Sequence, residues 1–234
     1  MAGSAIILLS GGLDSATTLA QARSQGKVCH ALAFRYGQRH HFELQAARNV
    51  AVALGAASFR IIDINLSDVG GSALTAPINV PKGRSDSEMS GGIPITYVPA
   101  RNTIFVAYAI AVAEVVGAQE ILLGVNAVDY SGYPDCRPEW VLAMQEVARL
   151  GTKAGVQGNP VIIAAPLIHL KKAEIIALGT GLGVDYSLTH SCYDPAADGG
   201  ACGGCDSCLL RHKGFEAAGV PDPTRYANEP GRTA

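Results

Sequence analysis

Short apolar runs alternate with amphipathic segments along most of the chain. Continuous apolar runs predict strands buried on both faces, and they occur at residues 5–9, 28–34, 59–64, 121–125 and 161–165. Helical spacing of apolar positions predicts crossover helices, and it occurs at residues 42–54, 102–116 and 139–150. The alternation predicts an α/β fold: a five-stranded parallel sheet with helices on both faces, which binds ligands beyond the carboxyl ends of its strands.

Two long segments and the C-terminal part do not follow this alternation. Residues 65–99 are rich in glycine and proline and far exceed an ordinary connection, which predicts a functional or mobile loop. Residues 125–138 form a second, polar loop after a predicted strand. Beyond about Tyr186 the pattern of strands and helices stops. We therefore predict one α/β domain over residues 1–186 and a small cysteine-rich appendage over residues 187–234, packed on the same core.

The first predicted strand runs directly into the turn Ser10-Gly11-Gly12-Leu13-Asp14-Ser15, here called the phosphate loop. A turn from strand to helix presents free N–H groups and a positive helix end to an anion. Its glycines allow close approach of a phosphate, its serines add donors, and Asp14 could hold Mg²⁺ or orient the loop. The alternative is an ordinary helix cap. Neither GxxxxGK[ST] nor GxGxxG occurs, which argues against P-loop kinases and dinucleotide-dependent oxidoreductases.

Four of the six cysteines lie close together near the C-terminus, at Cys192, Cys202, Cys205 and Cys208. Four thiolates in a short glycine-rich stretch can surround one tetrahedral ion, which favours structural Zn²⁺ and leaves an iron–sulfur cluster as the alternative. His190 and His212 flank this group and are expected to be polar surface residues or supports of the metal ligands. The two remaining cysteines, Cys29 and Cys136, are expected to be packing residues.

Composition narrows the possible partners. Hydrophobic residues make up 48% of the chain and charged residues 16%, with a formal net charge of −2. This balance is typical of a folded domain with a small-molecule substrate, and it gives no general reason to bind nucleic acid. No apolar run is long enough to span a bilayer, and the first residues lack the basic region of a signal peptide. We expect a cytoplasmic protein without membrane or nucleic-acid partners.

The phosphate loop, SGGLDS, resembles the SGGxDS signature of the PP-loop, or N-type, ATP pyrophosphatases. That superfamily has an adenine nucleotide alpha hydrolase-like, Rossmann-like fold, cleaves ATP between its α and β phosphates and transfers AMP to a substrate oxygen. The resemblance implies catalytic roles for Asp14, Ser15 and Arg101 and bound ATP with Mg²⁺. It assigns ATP binding to the loop and its flanks: Leu8, Leu9, Ser10, Gly11, Gly12, Leu13, Asp14, Ser15, Ala16, Thr17 and Thr18.

Further segments resemble one family of that superfamily, the 7-cyano-7-deazaguanine synthases (QueC). They are YGQRH at residues 36–40, VPARN at 98–102, the loop from Gly124 to Arg137 with DYSGYPDCR, and HL and KAEI at 169–175. With the four cysteines, the match extends from about Ile6 to Phe215. It implies conversion of 7-carboxy-7-deazaguanine and ammonia to 7-cyano-7-deazaguanine with ATP, a bound Zn²⁺ and a homodimer.

The resemblance also implies a set of substrate contacts, at Arg39, Arg101, Asn102, Tyr133, Asp135 and Arg137. Arg101 and Arg39 could neutralise phosphate or the substrate carboxylate, and Asn102 could cap a helix. Asp135 and Arg137 could bind the guanine-like edge and the carboxylate. Tyr130 and Tyr133 could stack on the heterocycle. Loop salt bridges and plain packing are the alternatives for these residues, and Lys172 is expected to cap or cover its helix.

Two other functions are compatible with parts of this pattern. A tRNA-thiolating PP-loop enzyme would use the cysteines for a cluster or for sulfur transfer, but the acidic balance argues against RNA binding. A zinc module without catalysis would bind nucleotide or a protein partner and turn over no ATP. The intact phosphate loop argues against this second alternative.

Overall fold

The computed structural model of the chain describes residues 3–128 and 132–227. Its centre is a five-stranded parallel sheet made of β1 (Ser4–Leu8), β2 (Val28–Arg35), β3 (Ser58–Asp63), β4 (Glu120–Leu122) and β5 (Ile162–Ala164). Each strand overlaps one predicted apolar run, so the predicted sheet is confirmed.

The strands lie in the order β3-β2-β1-β4-β5. In the central strand, Ile6 pairs with His30 of β2 on one side and with Ile121 of β4 on the other. The chain therefore runs outward from β1 to β3 and then crosses to the opposite side of β1. This reversal leaves a crevice at the carboxyl ends of β1 and β4, which is where open α/β sheets bind ligands.

The helices are α1 (Leu13–Ser24), α2 (Phe42–Ala53), α3 (Asp86–Met89), α4 (Arg101–Val116), α5 (Pro138–Gly151), α6 (Lys153–Val156), α7 (Lys172–Gly181) and α8 (Asp206–Ala218), with 3₁₀ turns at Pro134–Cys136 and Tyr186–Leu188. The three predicted helices are confirmed as α2, α4 and α5. Gly55 follows α2 with a φ of 67°, a conformation that glycine adopts at helix ends. Within residues 3–128 and 132–227, no helix has both the length and the apolar character that a membrane crossing needs.

Helices cover both faces of the sheet. Ile6 packs on one face in a buried cluster that includes Val106 of α4 and Met144 of α5. Its neighbour Ile7 points to the other face, with Leu19 of α1 and Ile175 of α7. Side chains alternate across a strand, so a strand covered on both sides is continuously apolar. Full burial of each isoleucine stabilises the fold by about 1.5–3 kcal/mol.

Regular structure does not stop near Tyr186, and that prediction is wrong. Helix α8 has 13 residues, packs against α7 and buries Phe215 in the same cluster as Ile7. The four cysteines lie in the cluster on the other face, with Ile6. Their glycine-rich approach to α8 has no apolar period that would predict a helix. The division into residues 1–186 and 187–234 stays a prediction.

The long segment 65–99 is anchored to the cysteine-rich segment. The Gly83 N–H donates to the Gly204 carbonyl at 2.8 Å, and Arg84 Nη1 lies 2.8 Å from Oδ2 of the buried Asp206. Short helix α3 follows, with Ser85 as its N-cap. These contacts fix the C-terminal half of the segment against the start of α8.

Candidate active site

A cavity of about 290 Å³ opens at the carboxyl ends of β1 and β4. The phosphate loop forms one wall, and the start of α4 forms another through Arg101 and Asn102. The lining also includes Glu43 of α2, Lys172 of α7, and His190, Ser191 and Tyr193 from the cysteine-rich segment. The cavity thus occupies the crevice that the strand order creates.

The phosphate loop is held by close packing and by serine hydroxyls. Gly11 has a φ of 87°, and an added Cβ would lie 2.4 Å from the Glu43 carbonyl oxygen, so only glycine fits. Ser15 Oγ donates to the Gly12 carbonyl at 3.0 Å and lies 3.1 Å from Ser10 Oγ. These contacts hold the N-terminal end of α1 open toward the cavity, in the arrangement that binds anions.

The cysteine-rich segment supports the same loop from the other side. The His190 N–H donates to the Gly11 carbonyl at 2.8 Å, and the Leu13 N–H donates to Ser191 Oγ at 3.5 Å. Cys192 follows directly. Any ion held by the cysteines would therefore stabilise one support of the phosphate loop.

Asp14 and Lys172 form an ion pair inside the cavity. Lys172 Nζ lies 2.8 Å from both carboxylate oxygens of Asp14, and both side chains are mostly buried. The expectation that Lys172 caps or covers its helix does not include this ion pair, since α7 brings Lys172 across 158 residues of sequence to the phosphate loop. A carboxylate that can bind a cation and an ammonium that can bind phosphate thus lie side by side.

The residues predicted to bind ATP divide into two groups. Leu8, Leu9, Ser10, Gly12, Leu13, Asp14 and Ser15 line the cavity. Gly11, Ala16, Thr17 and Thr18 do not, since Thr17 Oγ1 donates to the Leu13 carbonyl and Thr18 Oγ1 to the Asp14 carbonyl, both at 3.0 Å. The two threonines brace the first turns of α1 from within the core, so their predicted contact with the nucleotide gains no support.

Arg101 faces the phosphate loop from the start of α4. Its Nη1 donates to the Tyr36 hydroxyl at 3.4 Å, and its Cζ lies 5.6 Å from the centre of that ring. Burial acts to lower the pKa of Arg101, but Tyr36 and Tyr133 outweigh it, so the pKa lies above its ordinary value. The guanidinium is a permanent cation available to phosphate or carboxylate.

Ala100, just before Arg101, has a left-handed backbone with a φ of 55°. This conformation costs an alanine about 1–2 kcal/mol. It caps the N-terminal end of α4 and turns the chain so that Arg101 and Asn102 enter the cavity wall. Strain at this point therefore positions two predicted site residues.

Asp135 is 5% exposed and lies behind the cavity wall rather than in it. Its Oδ2 accepts the Asn102 N–H at 3.0 Å, and its carbonyl accepts Asn102 Nδ2 at 3.0 Å. Burial raises the pKa of Asp135 above its ordinary value. Asp135 thus supports the start of α4. Its predicted contact with substrate stays a prediction.

Cys136 does line the cavity, next to Asn102. Burial raises the pKa of its thiol to about 12. A thiol that stays protonated near neutral pH is a poor nucleophile. This agrees with the expected packing role.

Of the tyrosine and arginine residues predicted to contact substrate, some line the cavity and others do not. Tyr133 lines it, with its hydroxyl 2.9 Å from Thr96 Oγ1. Arg39 is outside the wall and donates to the Ile78 carbonyl at 3.1 Å, and the exposed Arg137 is also outside it. Their substrate contacts stay predictions. Tyr130 lies outside the described residues.

Several cavity residues were not predicted from the sequence. Tyr36 is buried, and burial raises its pKa to about 12. Glu43 has its pKa raised to about 7, because burial outweighs the opposing effect of Arg101. Tyr36 belongs to the YGQRH segment and Glu43 lies three residues after it, so the segment could have indicated them.

The four cysteines are buried, and their sulfur atoms all lie within 4.8 Å of one another. Backbone N–H groups of Cys202 and Asp194 point at Cys192 Sγ, at 3.2 and 3.4 Å. The Cys205 N–H lies 3.3 Å from Cys202 Sγ. Four clustered sulfurs with N–H donors fit a metal that binds thiolates and leave no ligand position to be supplied by histidine. His212 is exposed on α8, as expected.

The sheet order and the phosphate loop define the class: an α/β protein of the PP-loop ATP pyrophosphatase type. One solved structure with this fold is "Crystal structure of a 4-thiouridine synthetase - RNA complex with bound ATP". It has a TM-score of 0.51 and 18% identity, over 96% of this chain and 47% of that one. The present chain spans about half the length of that protein, and the likeness concerns the fold alone.

The chain belongs to the QueC family, since the model described as "Queuosine biosynthesis protein QueC" matches residues 4–219. A relative from Myxococcus xanthus is 61% identical over 95% of this chain and 96% of its own length. One from Syntrophotalea carbinolica is 57% identical over 98% and 99%. Both are named 7-cyano-7-deazaguanine synthase. The family resemblance is confirmed, and these names favour it over the tRNA-thiolating alternative.

Proposed function

We propose that this chain is an ATP-dependent ligase that converts 7-carboxy-7-deazaguanine and ammonia into 7-cyano-7-deazaguanine. Family membership and the names of the relatives support the substrate class. The observation that carries the chemistry is one cavity in which the Asp14–Lys172 pair and the phosphate loop face the cation Arg101. An adenylating enzyme needs such an arrangement, because phosphate and carboxylate must both be neutralised before they meet.

Adenylation makes the carboxylate reactive. A carboxylate oxygen is a poor leaving group, so transfer of AMP to it gives an acyl adenylate that ammonia can attack, with release of AMP. The amide still carries one oxygen. A second adenylation on that oxygen, followed by elimination of AMP, leaves the nitrile. The two steps need the same activated group, so one cavity can perform both without a redox cofactor.

The phosphates of ATP belong at the N-terminal end of α1, where the N–H groups of the phosphate loop and the hydroxyls of Ser10 and Ser15 converge. Asp14 is the residue placed to hold Mg²⁺, which would neutralise phosphate charge. Lys172, released from Asp14 by that ion, would bind a phosphate oxygen. The pair would keep the loop compact before ATP binds, and Asp14 and Lys172 would then turn to the metal and the phosphate.

The deazaguanine belongs between the phosphate loop and α4. Arg101 would bind its carboxylate, and Tyr36 holds the Arg101 guanidinium in place. Tyr133 offers a flat ring in the wall for the heterocycle. Asn102 is fixed by Asp135 and Cys136, so it can serve as a rigid polar contact.

Zn²⁺ is the proposed ion of the cysteine cluster. Four thiolates close its coordination shell, which is typical of a structural site. Such an ion supplies stability to the segment that contacts the phosphate loop through His190 and Ser191. A homodimer is a further proposal from the family resemblance, and a cytoplasmic location without a nucleic-acid partner is a proposal from the composition and charge of the chain.

Gly124, after β4, presses on the phosphate loop, and Gly124→Ala is expected to impair ATP binding. An added Cβ would lie 2.9 Å from the Ser15 nitrogen and 3.0 Å from its Cα. Displacing the loop should lower adenylation by about 10²-fold, and overpacking should reduce the free energy of unfolding by about 1–3 kcal/mol. Calorimetric titration measures ATP binding, pyrophosphate release measures adenylation, and denaturant unfolding measures the free energy of unfolding.

Gly181→Ala is the matched control. Gly181 lies at the end of α7, and an added Cβ would meet no atom within 4 Å. Its ATP affinity should equal that of the unchanged protein. If Gly124→Ala binds ATP as tightly as the unchanged protein does, the loop accommodates the added methyl group. The close contact between Gly124 and Ser15 would then have no role in ATP binding.

Incubation of the metal-loaded protein with 7-carboxy-7-deazaguanine, ammonium, ATP and Mg²⁺ tests the proposed function. Mass spectrometry should detect the amide first and the nitrile later, with AMP and pyrophosphate. Omission of ammonium should stop both products. If a folded, metal-loaded sample forms neither amide nor nitrile, the proposed substrate is wrong. AMP formation with another carboxylate would then keep the enzyme class and change the substrate.

A further inference from the structure

Glu43 lies in the first turn of α2 and lines the cavity beside the phosphate loop. Its backbone packs directly on the loop, because its carbonyl oxygen occupies the space that a side chain at Gly11 would take. This contact fixes the start of α2 against the phosphate loop. No motif in the sequence assigned it a role.

The Glu43 carboxylate makes no ion pair and no hydrogen bond with the described residues, 3–128 and 132–227. This is unusual in a cavity where the other acid, Asp14, is paired with Lys172. Arg101, at the start of α4, is the cation that acts on it. A carboxylate without a partner inside a binding cavity is available to a substrate or to a proton.

The surroundings of Glu43 bring the pKa of its carboxyl close to neutral pH. Burial raises its pKa to about 7, and Arg101 limits the rise. The other charged or titratable groups that line this cavity are Asp14, Tyr36, Arg101, Tyr133, Cys136, Lys172, His190, Tyr193 and Arg211. Since burial raises the pKa of Tyr36, Tyr133 and Cys136, all three stay neutral near pH 7. Glu43 is thus an acid that can gain and lose a proton under working conditions.

The proposed reaction removes protons from one nitrogen in both of its halves. In amide formation, the ammonia lone pair forms the C–N bond, the C–O bond to AMP breaks, and the nitrogen must lose a proton. In nitrile formation, adenylation of the amide oxygen makes the nitrogen acidic, and one N–H proton leaves to give a neutral imidate with a C=N double bond. The last N–H bond then breaks, its electron pair forms the third C–N bond, and the C–O bond to AMP breaks. Both steps remove a proton from the same nitrogen as AMP leaves the same carbon.

We propose that Glu43 is the base that accepts these protons, in the amide-forming step and again in the nitrile-forming elimination. The inference rests on the proposed function. Each proton passes from nitrogen to the Glu43 carboxylate and from there to water at the mouth of the cavity. One carboxylate serves both steps, because the reacting carbon stays beside the phosphate loop throughout.

The nitrile-forming half reaction isolates this role. It starts from the amide and needs ATP but no ammonia, so the titration of ammonium cannot shape its pH profile. The base must be ionised, so kcat should rise tenfold per pH unit below about 7 and level off above it. In Glu43→Gln, kcat should fall by about 10²- to 10⁴-fold with KM for the amide nearly unchanged, and the rising limb should disappear.

Exchange of pyrophosphate into ATP, with the carboxylate substrate and without ammonia, separates this inference from the proposed function. Glu43→Gln should retain the exchange, because adenylation of a carboxylate releases no N–H proton. If the unchanged protein shows no exchange, the proposed function itself fails. If Glu43→Gln loses the exchange, Glu43 belongs to nucleotide binding, and the inference is overturned.

Glu139→Gln is the matched control, since Glu139 occupies the same first-turn position of α5 but is exposed and outside the cavity. It should keep kcat and the rising limb. A Glu43→Gln variant that raises KM without lowering kcat would assign Glu43 to recognition of the heterocycle instead. A rising limb that persists in that variant would place the base elsewhere.

Discussion

Replacing Asp14 with Asn is expected to lower AMP and pyrophosphate formation by about 10²-fold or more, while the chain stays folded. The substitution keeps the volume of the side chain but removes the charge proposed to hold Mg²⁺ and leaves Lys172 without its partner. The rate should fall by about 10²- to 10³-fold or below detection. Because the pair is mostly buried, the loss of its charge-assisted hydrogen bonds should lower the free energy of unfolding by about 1–3 kcal/mol. Pyrophosphate release and thermal unfolding measure the two quantities.

Asp86→Asn provides the comparison, because Asp86 pairs with Lys213 on the surface, far from the phosphate loop in sequence. It removes the same charge from the same kind of pair and should keep full activity. If Asp14→Asn forms AMP at a near-normal rate, Asp14 has no role in adenylation. An unfolded variant would instead assign Asp14 to stability, and circular dichroism distinguishes the two outcomes.

Cys205→Ser is expected to lose the bound metal and to destabilise the C-terminal segment. Cys205 is fully buried at the start of α8, and its sulfur accepts the Tyr193 N–H. A structural zinc site contributes on the order of 10 kcal/mol of binding free energy, so its loss should lower the midpoint of denaturant unfolding sharply. Elemental analysis should find one zinc in the unchanged protein and none in the variant.

Cys29→Ser makes the same substitution at a buried cysteine outside the cluster. It should retain zinc. Zinc at full occupancy in Cys205→Ser would exclude Cys205 as a ligand. Stoichiometric iron with visible absorption in the unchanged protein would replace the zinc proposal by an iron–sulfur cluster.

Most of the sheet could be predicted because its strands are buried on both faces. The apolar run around Ile6 and Ile7 has one physical explanation, burial between helices such as α4 and α1, and it gave the strand directly. Helix α8 was missed because it begins at a polar residue, Asp206, just after a glycine-rich stretch. It is stabilised by packing on α7, and the local pattern of apolar residues does not indicate that contact.

The site was predictable only where the chemistry is local. The phosphate loop is one continuous stretch, so its donors could be recognised from spacing. Lys172 reaches Asp14 only through the crossover that brings α7 back to the sheet, and a lysine at the start of a helix has a simpler local explanation. The predicted substrate contact of Asp135 gains no support from the structure, for a similar reason. Its polar loop does reach the cavity wall, but the carboxylate is used to cap α4.

The fate of the carboxylate oxygens gives the most direct test of adenylation at this cavity. With 7-carboxy-7-deazaguanine labelled by ¹⁸O at both carboxyl oxygens, complete conversion should give two AMP molecules per nitrile, each with one ¹⁸O in its phosphate. Mass spectrometry of the AMP reads the label. Unlabelled AMP, or ADP as the nucleotide product, would contradict transfer of AMP to the substrate oxygens.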